Sequence, residues 1–298
     1  MKIIVAGGSG FIGRFLEKRL MEDGIEVCIL SRDPKGNNDI YWDGENMGDW
    51  TSQLEDADVL INLAGRSVDC RYNDVNKKAI FDSRLKSTAV LGEALRLSVN
   101  PPKVWLNSST ATIYRHAEDR PMNEETGEIG SGFSVDVATQ WEDTFFESNN
   151  PNIRKVALRT AIVLGNGGGA YAHFRGLTKV GFGGRQGNGN QMVSWIHKED
   201  VYQSILYLIK DQDITGVVNL SSPNPLTNKE FMASFRQVFK RPFGIPTKKW
   251  MLTIGAFVLQ TETELLLKSR WVLPTRLVEL GYDFKYPKLD DALKDLAK

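Results

Sequence analysis

Three glycines, Gly7, Gly10 and Gly13, punctuate the opening stretch IIVAGGSGFIGRFLEKRL, residues 3–20, at G-x-x-G-x-x-G spacing, with Gly8 as an extra. A short apolar, β-branched run precedes them. After them Ile12, Phe15, Leu16 and Leu20 recur at helical spacing. The context is a strand bending sharply into a helix. Such a bend needs glycine, and a diphosphate that touches the main chain tolerates no intervening side chain. The first amides of the helix then offer open N–H donors and a partial positive charge. The chemistry this predicts is dinucleotide binding, with Gly7, Ser9, Gly10, Phe11, Ile12 and Gly13 forming the cradle.

The tip of the second strand discriminates between the two nicotinamide dinucleotides. An acid there would bind the ribose hydroxyls and repel a 2′-phosphate. Here EVCIL ends in Ser31 and Arg32, with Asp33 one step further. A hydroxyl and a guanidinium suit a phosphate, and Arg14 adds positive charge nearby. We therefore expect NADP in preference to NAD. The competing reading has Arg32 merely covering the sheet edge. Leu63, Ala64 and Gly65, which end the next strand, and Arg84 on the following helix complete the expected cofactor contacts.

The elements that must position these residues alternate regularly. KIIVAGG, DGIEVCILSR, DADVLINLAG, NPPKVWLNSSTATIY, IRKVALRTAIVLG and GVVNLSS read as strands, and NKKAIFDSRLKSTAVLGEALRLSV reads as a helix. This order predicts an α/β fold with a doubly wound, Rossmann-type parallel sheet. GNGGGAYAHFRGLTKVGFGGRQGNGNQ reads as a long functional loop containing a short helix. Residues 1–165 and 190–222 are assigned to the dinucleotide-binding domain, and residues 166–189 and 223–298 to a smaller C-terminal substrate cap.

Bulk properties narrow the function. Lysine plus arginine equals aspartate plus glutamate at 37 each in 298 residues, so neither nucleic acid nor a membrane surface is an expected partner. Cys28, inside an apolar run, reads as a small core residue. With Cys70 it makes neither a disulfide framework nor a zinc site, and the scattered His116, His173 and His197 argue against any metal. The nearest approach to the ~20 apolar residues of a membrane span is WMLTIGAFVLQ, residues 250–260, which is too short. A strand begins almost at Met1, leaving no room for a signal peptide, and a cytoplasmic location is expected.

GGSGFIG, DVLINLAG, SSTATIY, LRTAIVLG and WIHKEDV together resemble the extended short-chain dehydrogenase/reductase superfamily, in its nucleotide-sugar epimerase group. YWDG, FDSR, VLGNGGGA, GFGGRQGNGNQMVSWIHKED, VVNLSSPNPLTNKEF and RWVLPTRLVELGYDFKYP narrow the resemblance to an atypical, family 39 or cell-division-inhibitor-like branch. The resemblance covers nearly the whole chain. It implies a nicotinamide-binding fold with a substrate cap, and either a monomer or a homodimer formed through a four-helix bundle. It implies no particular substrate.

Superfamily enzymes typically pair a tyrosine with a lysine four residues later. The lysine lowers the phenol's pKa, and the phenol moves a proton as hydride passes to the nicotinamide. None of the eight tyrosines here (41, 72, 114, 171, 202, 207, 282 and 286) has that lysine. Counting back from Glu142 in GFSVDVATQWEDTF places Ser134 and Ala138 where the pair should stand. Thr110 matches the superfamily's active-site serine or threonine and could hold a substrate oxygen. Tyr114, four residues on, would leave a strand on the same face and is the candidate replacement acid, against the alternative that it only packs at the strand end. Arg66, Ser67, Arg71, Lys77, Arg84, Arg185, Gln191, Ser194 and Trp195 suggest a polar mouth for an anionic or polyhydroxylated ligand. His197 reads as packing beside the sheet. The leading expectation is an NADP-dependent epimerase or oxidoreductase acting on a small polar, sugar-nucleotide or phosphorylated substrate. The alternative, favoured by the missing pair, is an NADP(H)-binding sensor or regulatory protein without turnover.

Overall fold

Ile3, Ile4, Val5 and Ala6 are all fully buried, so the first strand, β1 (Lys2–Ala6), must have protein on both faces. A computed structural model of the chain describes residues 1–211, 213–248, 250–251, 262 and 264–298. The apolar residues 252–260 lie outside them. Among the described residues no helix is long and apolar enough to cross a membrane.

Strand β1 lies in a seven-stranded sheet with β2 (Glu26–Ser31) and β3 (Asp39–Tyr41) on one side. On the other lie β4 (Val59–Asn62), β5 (Val104–Thr110), β6 (Arg154–Thr160) and β9 (Gly216–Leu220). Every neighbouring pair is parallel. The chain leaves β1 toward β3 and returns to β4 on its other side, so the order reverses between β1 and β4. In such sheets ligands bind at that reversal, outside the carboxyl ends of the strands. Alternate residues supply two cores. Ile3, Val5, Ile29 and Ile61 face α1 (Phe11–Glu22) and α5 (Lys198–Lys210), while Ile4, Ala6, Leu30 and Leu60 face α2 (Asp74–Leu97) and α3 (Phe133–Glu147). Cys28 belongs to the second core, and burial pushes its thiol up to about 11.

Two of the expected strands are shorter than their apolar runs. Strand β5 ends at Thr110, and a single 3-10 turn, Ala111–Ile113, follows. IRKVALRTAIVLG splits at Ala161 into β6 and β7 (Ile162–Leu164), which leaves the main sheet to pair with β8 (Trp195–His197). Strand β3, only three residues long, carries no recognisable pattern. The glycine-rich loop does contain a helix, α4 (Ala170–Lys179). Its Tyr171 and Phe174 join Trp195, Phe231, Phe235 and Leu293 in a third core. Leu277 and Phe284, further along the chain, return to the first.

The HKED stretch fastens these parts together. His197 caps α5, its Nδ1 accepting from the Glu199 N–H at 3.2 Å, and it is 2% exposed. Asp200 accepts from the Lys285 and Tyr286 amides at 2.7 and 3.0 Å. Burial holds the imidazole down to about 4 and pushes the Asp200 carboxyl up to about 6. Since His197 stays neutral in the fold but charges when unfolded below its ordinary value, its contribution to stability is present at neutral pH and lost as pH falls from about 6.5 to about 4, roughly 3 kcal/mol in all. Buried Asp200 has the opposite sign. Its charge costs stability above about pH 6, and that cost is relieved toward about pH 4. His197→Asn keeps a capping acceptor but cannot titrate. In denaturant titrations, the stability advantage of wild type over this variant should shrink by about 3 kcal/mol between about pH 7 and about pH 4. A pH-independent difference would contradict the buried neutral histidine.

Candidate dinucleotide and substrate site

The three glycines do three different jobs. Gly7 has φ +71°, and a Cβ there would lie 2.6 Å from the Ala64 Cα, so it permits both the turn and the close approach to β4. A Cβ on Gly13 would lie 2.2 Å from the Gly8 carbonyl oxygen, so Gly13 lets the helix pack onto its own entry turn. A Cβ on Gly10 would meet nothing within 4 Å. Gly10 is the N-cap of α1, without a side-chain cap, and the first turn carries no acid. The first amides of α1 lack intrahelical acceptors and face the space that Gly10 leaves, so the cradle fits a diphosphate. Ser9 is exposed beside it. The Phe11 ring packs against Gly165, Gly168 and Gly169, and Ile12 packs on the first core. These two residues therefore offer the cradle their main chain only.

At the tip of β2, Ser31 is buried and its Oγ accepts from the Asp33 N–H at 3.2 Å. Arg32 is exposed and makes no ion pair among the described residues. Arg14 is not available as free positive charge. Its guanidinium donates to both Asp39 carboxylate oxygens, at 2.8 and 2.5 Å, and to Glu17 at 2.8 Å. Arg14 holds the Asp39 carboxyl well below the usual range. Of the two arginines near the expected phosphate, only Arg32 remains uncommitted.

Beyond β4, the Leu63 N–H donates to the Ala6 carbonyl and the Ala64 N–H to Asn62 Oδ1, at 2.8 and 3.0 Å. Asn62 is itself locked by Asn107 at 2.7 Å and Thr88 at 3.1 Å, and Thr88 accepts from the Trp141 indole at 2.8 Å. Nothing in the spacing of these buried residues announced that network. Gly65 lies against Arg84, whose Cζ is 3.2 Å from the position of a Gly65 Cβ. Arg84 donates Nη1 to the Arg66 and Ile80 carbonyls at 3.1 and 3.0 Å and stacks over Trp141 at 5.2 Å. It has no carboxylate partner among the described residues, and burial pushes it down to about 10. A desolvated cation without a counter-ion beside the reversal point suits an anionic ligand.

Thr110 and Tyr114 do not share a strand face, because β5 stops at Thr110 and the 3-10 turn redirects the chain. Thr110 is half-buried at the strand end, its Oγ1 accepting from the Thr112 N–H at 3.1 Å. Tyr114 is 1% exposed. Its hydroxyl donates to Asn219 Oδ1 and accepts from Arg159 Nη1, both at 3.0 Å. Arg159 forks onto Glu142 at 2.9 and 2.7 Å, and Glu142 also accepts from Ser109 at 2.5 Å. Burial pushes the Tyr114 phenol up. Ser134 Oγ donates to Glu264 at 3.2 Å, and Ala138 is fully buried.

The polar residues read as a mouth divide. Ser194 and Trp195 are core residues and Gln191 is buried, whereas Arg185 is exposed. Arg66 bonds Asn76 at 2.8 Å, and Arg71 meets Glu262 at 3.5 Å. Two cations escaped the sequence reading. Lys268 Nζ donates to the Thr112 carbonyl at 2.7 Å, and Arg270 Nε to Thr112 Oγ1 at 3.0 Å. They bring the C-terminal segment to the end of β5, next to a cleft of about 640 Å³ lined by Arg115, His116, Ile129, Glu264 and Lys268.

A parallel sheet with its order reversed at a glycine cradle defines the doubly wound nucleotide-binding class. Within that class the chain belongs to the NAD dependent epimerase/dehydratase family, whose model matches residues 3–221. A domain of unknown function, DUF1731, matches residues 249–296. The mouse epimerase family protein SDR39U1 is 31% identical over 300 residues, covering 99% of both chains. The Mycobacterium leprae epimerase family protein ML0860 is 30% identical over 295 residues, covering 98% of this chain and 94% of that one. Among solved structures, human SDR39U1 (isoform 2) with NADPH superposes with a TM-score of 0.90 at 30% identity, covering 100% of this chain and 99% of that one. A nucleoside-diphosphate sugar epimerase from Corynebacterium glutamicum superposes at 0.81 and 26% identity, covering 99% of this chain and 58% of that one.

Proposed function

We propose that the chain is an NADP(H)-dependent oxidoreductase or epimerase acting on a small polar, anionic substrate such as a phosphorylated sugar or sugar nucleotide. The observation that carries this reading is the open space at Gly10, an N-cap without a side-chain cap, in front of the first amides of α1, which have no intrahelical acceptor. The main chain of Gly7, Ser9, Gly10, Phe11, Ile12 and Gly13 would hold the diphosphate. Ser31 and Arg32 would hold the 2′-phosphate, and Leu63, Ala64, Gly65 and Arg84 would flank the remainder. The human relative's NADPH supports the phosphorylated cofactor. A bound nicotinamide supplies hydride transfer. Thr110, half-buried at the end of β5, holds a substrate oxygen, while Tyr114, bonded on both sides and sealed from solvent, maintains the buried network around Glu142 and Arg159. A second reading, a sensor that binds NADP(H) without turnover, is favoured by the presence of Ser134 and Ala138 where a tyrosine–lysine pair would stand.

Arg32→Ala tests the cofactor choice. By calorimetry, NADP⁺ affinity should fall by about tenfold to a hundredfold, the loss of one charge-assisted phosphate contact, with NAD⁺ affinity unchanged. An equal effect on both cofactors, or on neither, would remove Arg32 from the site.

A further inference from the structure

The loop after β4 is held firmly over the end of the sheet. The Arg66 N–H donates to Ser83 Oγ at 2.9 Å, and the Asn76 side chain donates to the Arg71 carbonyl at 2.8 Å. The Tyr72 N–H donates to Glu262 at 2.8 Å, joining the loop to the C-terminal segment. The Tyr72 ring meets the Phe133 ring edge-on at 5.0 Å, at the start of α3. Ser134, the next residue on α3, donates its Oγ to Glu264 at 3.2 Å. Burial is the largest influence on the phenol and pushes it up; Glu264 and Cys70 add to this, and the guanidiniums of Arg270 and, from α2, Arg84 oppose it. Arg270 in turn bonds Thr112, whose amide donates to Thr110. Tyr72 thus lies against the start of α3, where Ser134 stands, and Arg270, Thr112 and Thr110 form a connected chain at the carboxyl end of β5. Unlike Tyr114, Tyr72 is only half-buried.

We propose that Tyr72 is the acid–base phenol of this chain, delivered by the loop after β4 to the spot where α3 presents Ser134. This rests on the NADP(H) reading above. Burial keeps the phenol protonated and ready to donate, and the Arg270 guanidinium favours the phenolate left behind, part of the task a lysine one helical turn along α3 would otherwise perform. Reduction of a substrate carbonyl then balances. The phenol O–H bond breaks and its proton goes to the carbonyl oxygen. The electron pair and second hydrogen would arrive as hydride from NADPH, and the phenolate regains a proton from water.

The test uses the full chain labelled with tyrosine carrying ¹³C at Cζ. Tyr72→Phe, which keeps the ring against Phe133, assigns the Tyr72 signal by its disappearance. The signal is then titrated with NADP⁺ or NADPH bound, with saturation verified by calorimetry. Because the oxidised nicotinamide ring is cationic and the reduced ring is not, the Tyr72 ionisation midpoint should lie about one pH unit lower with NADP⁺ than with NADPH, the low end of the effect of a charge at contact distance. Identical midpoints with both cofactors bound would overturn the Tyr72 assignment and leave the cofactor assignment standing. Absence of binding heat with either cofactor would overturn both.

Discussion

Replacing Gly10 by aspartate is expected to abolish NADPH binding while leaving the melting temperature unchanged or slightly raised. Gly10 has φ −81° and ψ −179°, a conformation open to any residue, and a side chain there meets no atom within 4 Å. Aspartate is also a better N-cap than glycine, by a few tenths of a kcal/mol, so the fold has no reason to object. The same carboxylate, however, would occupy the space reserved for the diphosphate and take up the helix amides. Losing two or more charge-assisted hydrogen bonds and adding like-charge repulsion should weaken NADPH by about 10³-fold or more. Gly13→Ala should behave in the opposite way. Its Cβ would lie 2.4 Å from the Gly8 Cα, and both partners are backbone, so overpacking should cost about 1–3 kcal/mol of stability. Thermal denaturation and calorimetry on the two variants separate the roles. Normal NADPH binding by Gly10→Asp would mean that the diphosphate does not lie on these amides.

The second large effect concerns the buried pair behind the site. Arg159 and Glu142 are 8% and 6% exposed, and each is the other's counter-ion. Removing one partner leaves an uncompensated charge in the interior, so Arg159→Met or Glu142→Gln should each cost about 3–5 kcal/mol. In a chain of this size that corresponds to a drop of roughly 10 °C in melting temperature. The double variant should be markedly more stable than the sum of the two losses predicts, because neither charge is then stranded. Tyr114→Phe removes only the hydroxyl between Asn219 and Arg159 and should cost about 1–3 kcal/mol. Additive losses in the double variant would show that the pair is not coupled as its geometry requires. A stability loss in Tyr114→Phe with cofactor affinity intact agrees with the inward-facing hydroxyl.

What could be read from the chain follows from what leaves a trace in residue type. Gly7, Gly10 and Gly13 were legible because a left-handed turn, an open approach and a helix packed on its own entry each exclude a side chain at a fixed spacing. The parallel sheet was legible because strands buried on both faces read as unbroken apolar runs. For the same reason the ends of those runs were not. Nothing in SSTATIY marks where β5 gives way to a 3-10 turn, and that one turn takes Tyr114 away from Thr110 and into the interior. Long-range polar partners were equally silent. Arg14 reads as free positive charge until Asp39, 25 residues on and in an edge strand, is folded against it. Arg270 reaches Thr112 across 158 residues. Tyr72 lacks the following lysine, and only the tertiary structure sets its ring against Phe133 at the start of α3.

The central claim is that the bend from β1 to α1 receives the diphosphate of NADP(H). Calorimetric titration of the full chain with NADPH, and then with NADH, tests it most directly. The account predicts saturable binding of one NADPH per chain, tighter than NADH by about tenfold or more. No heat with either dinucleotide, or binding that persists undiminished in Gly10→Asp, would contradict it.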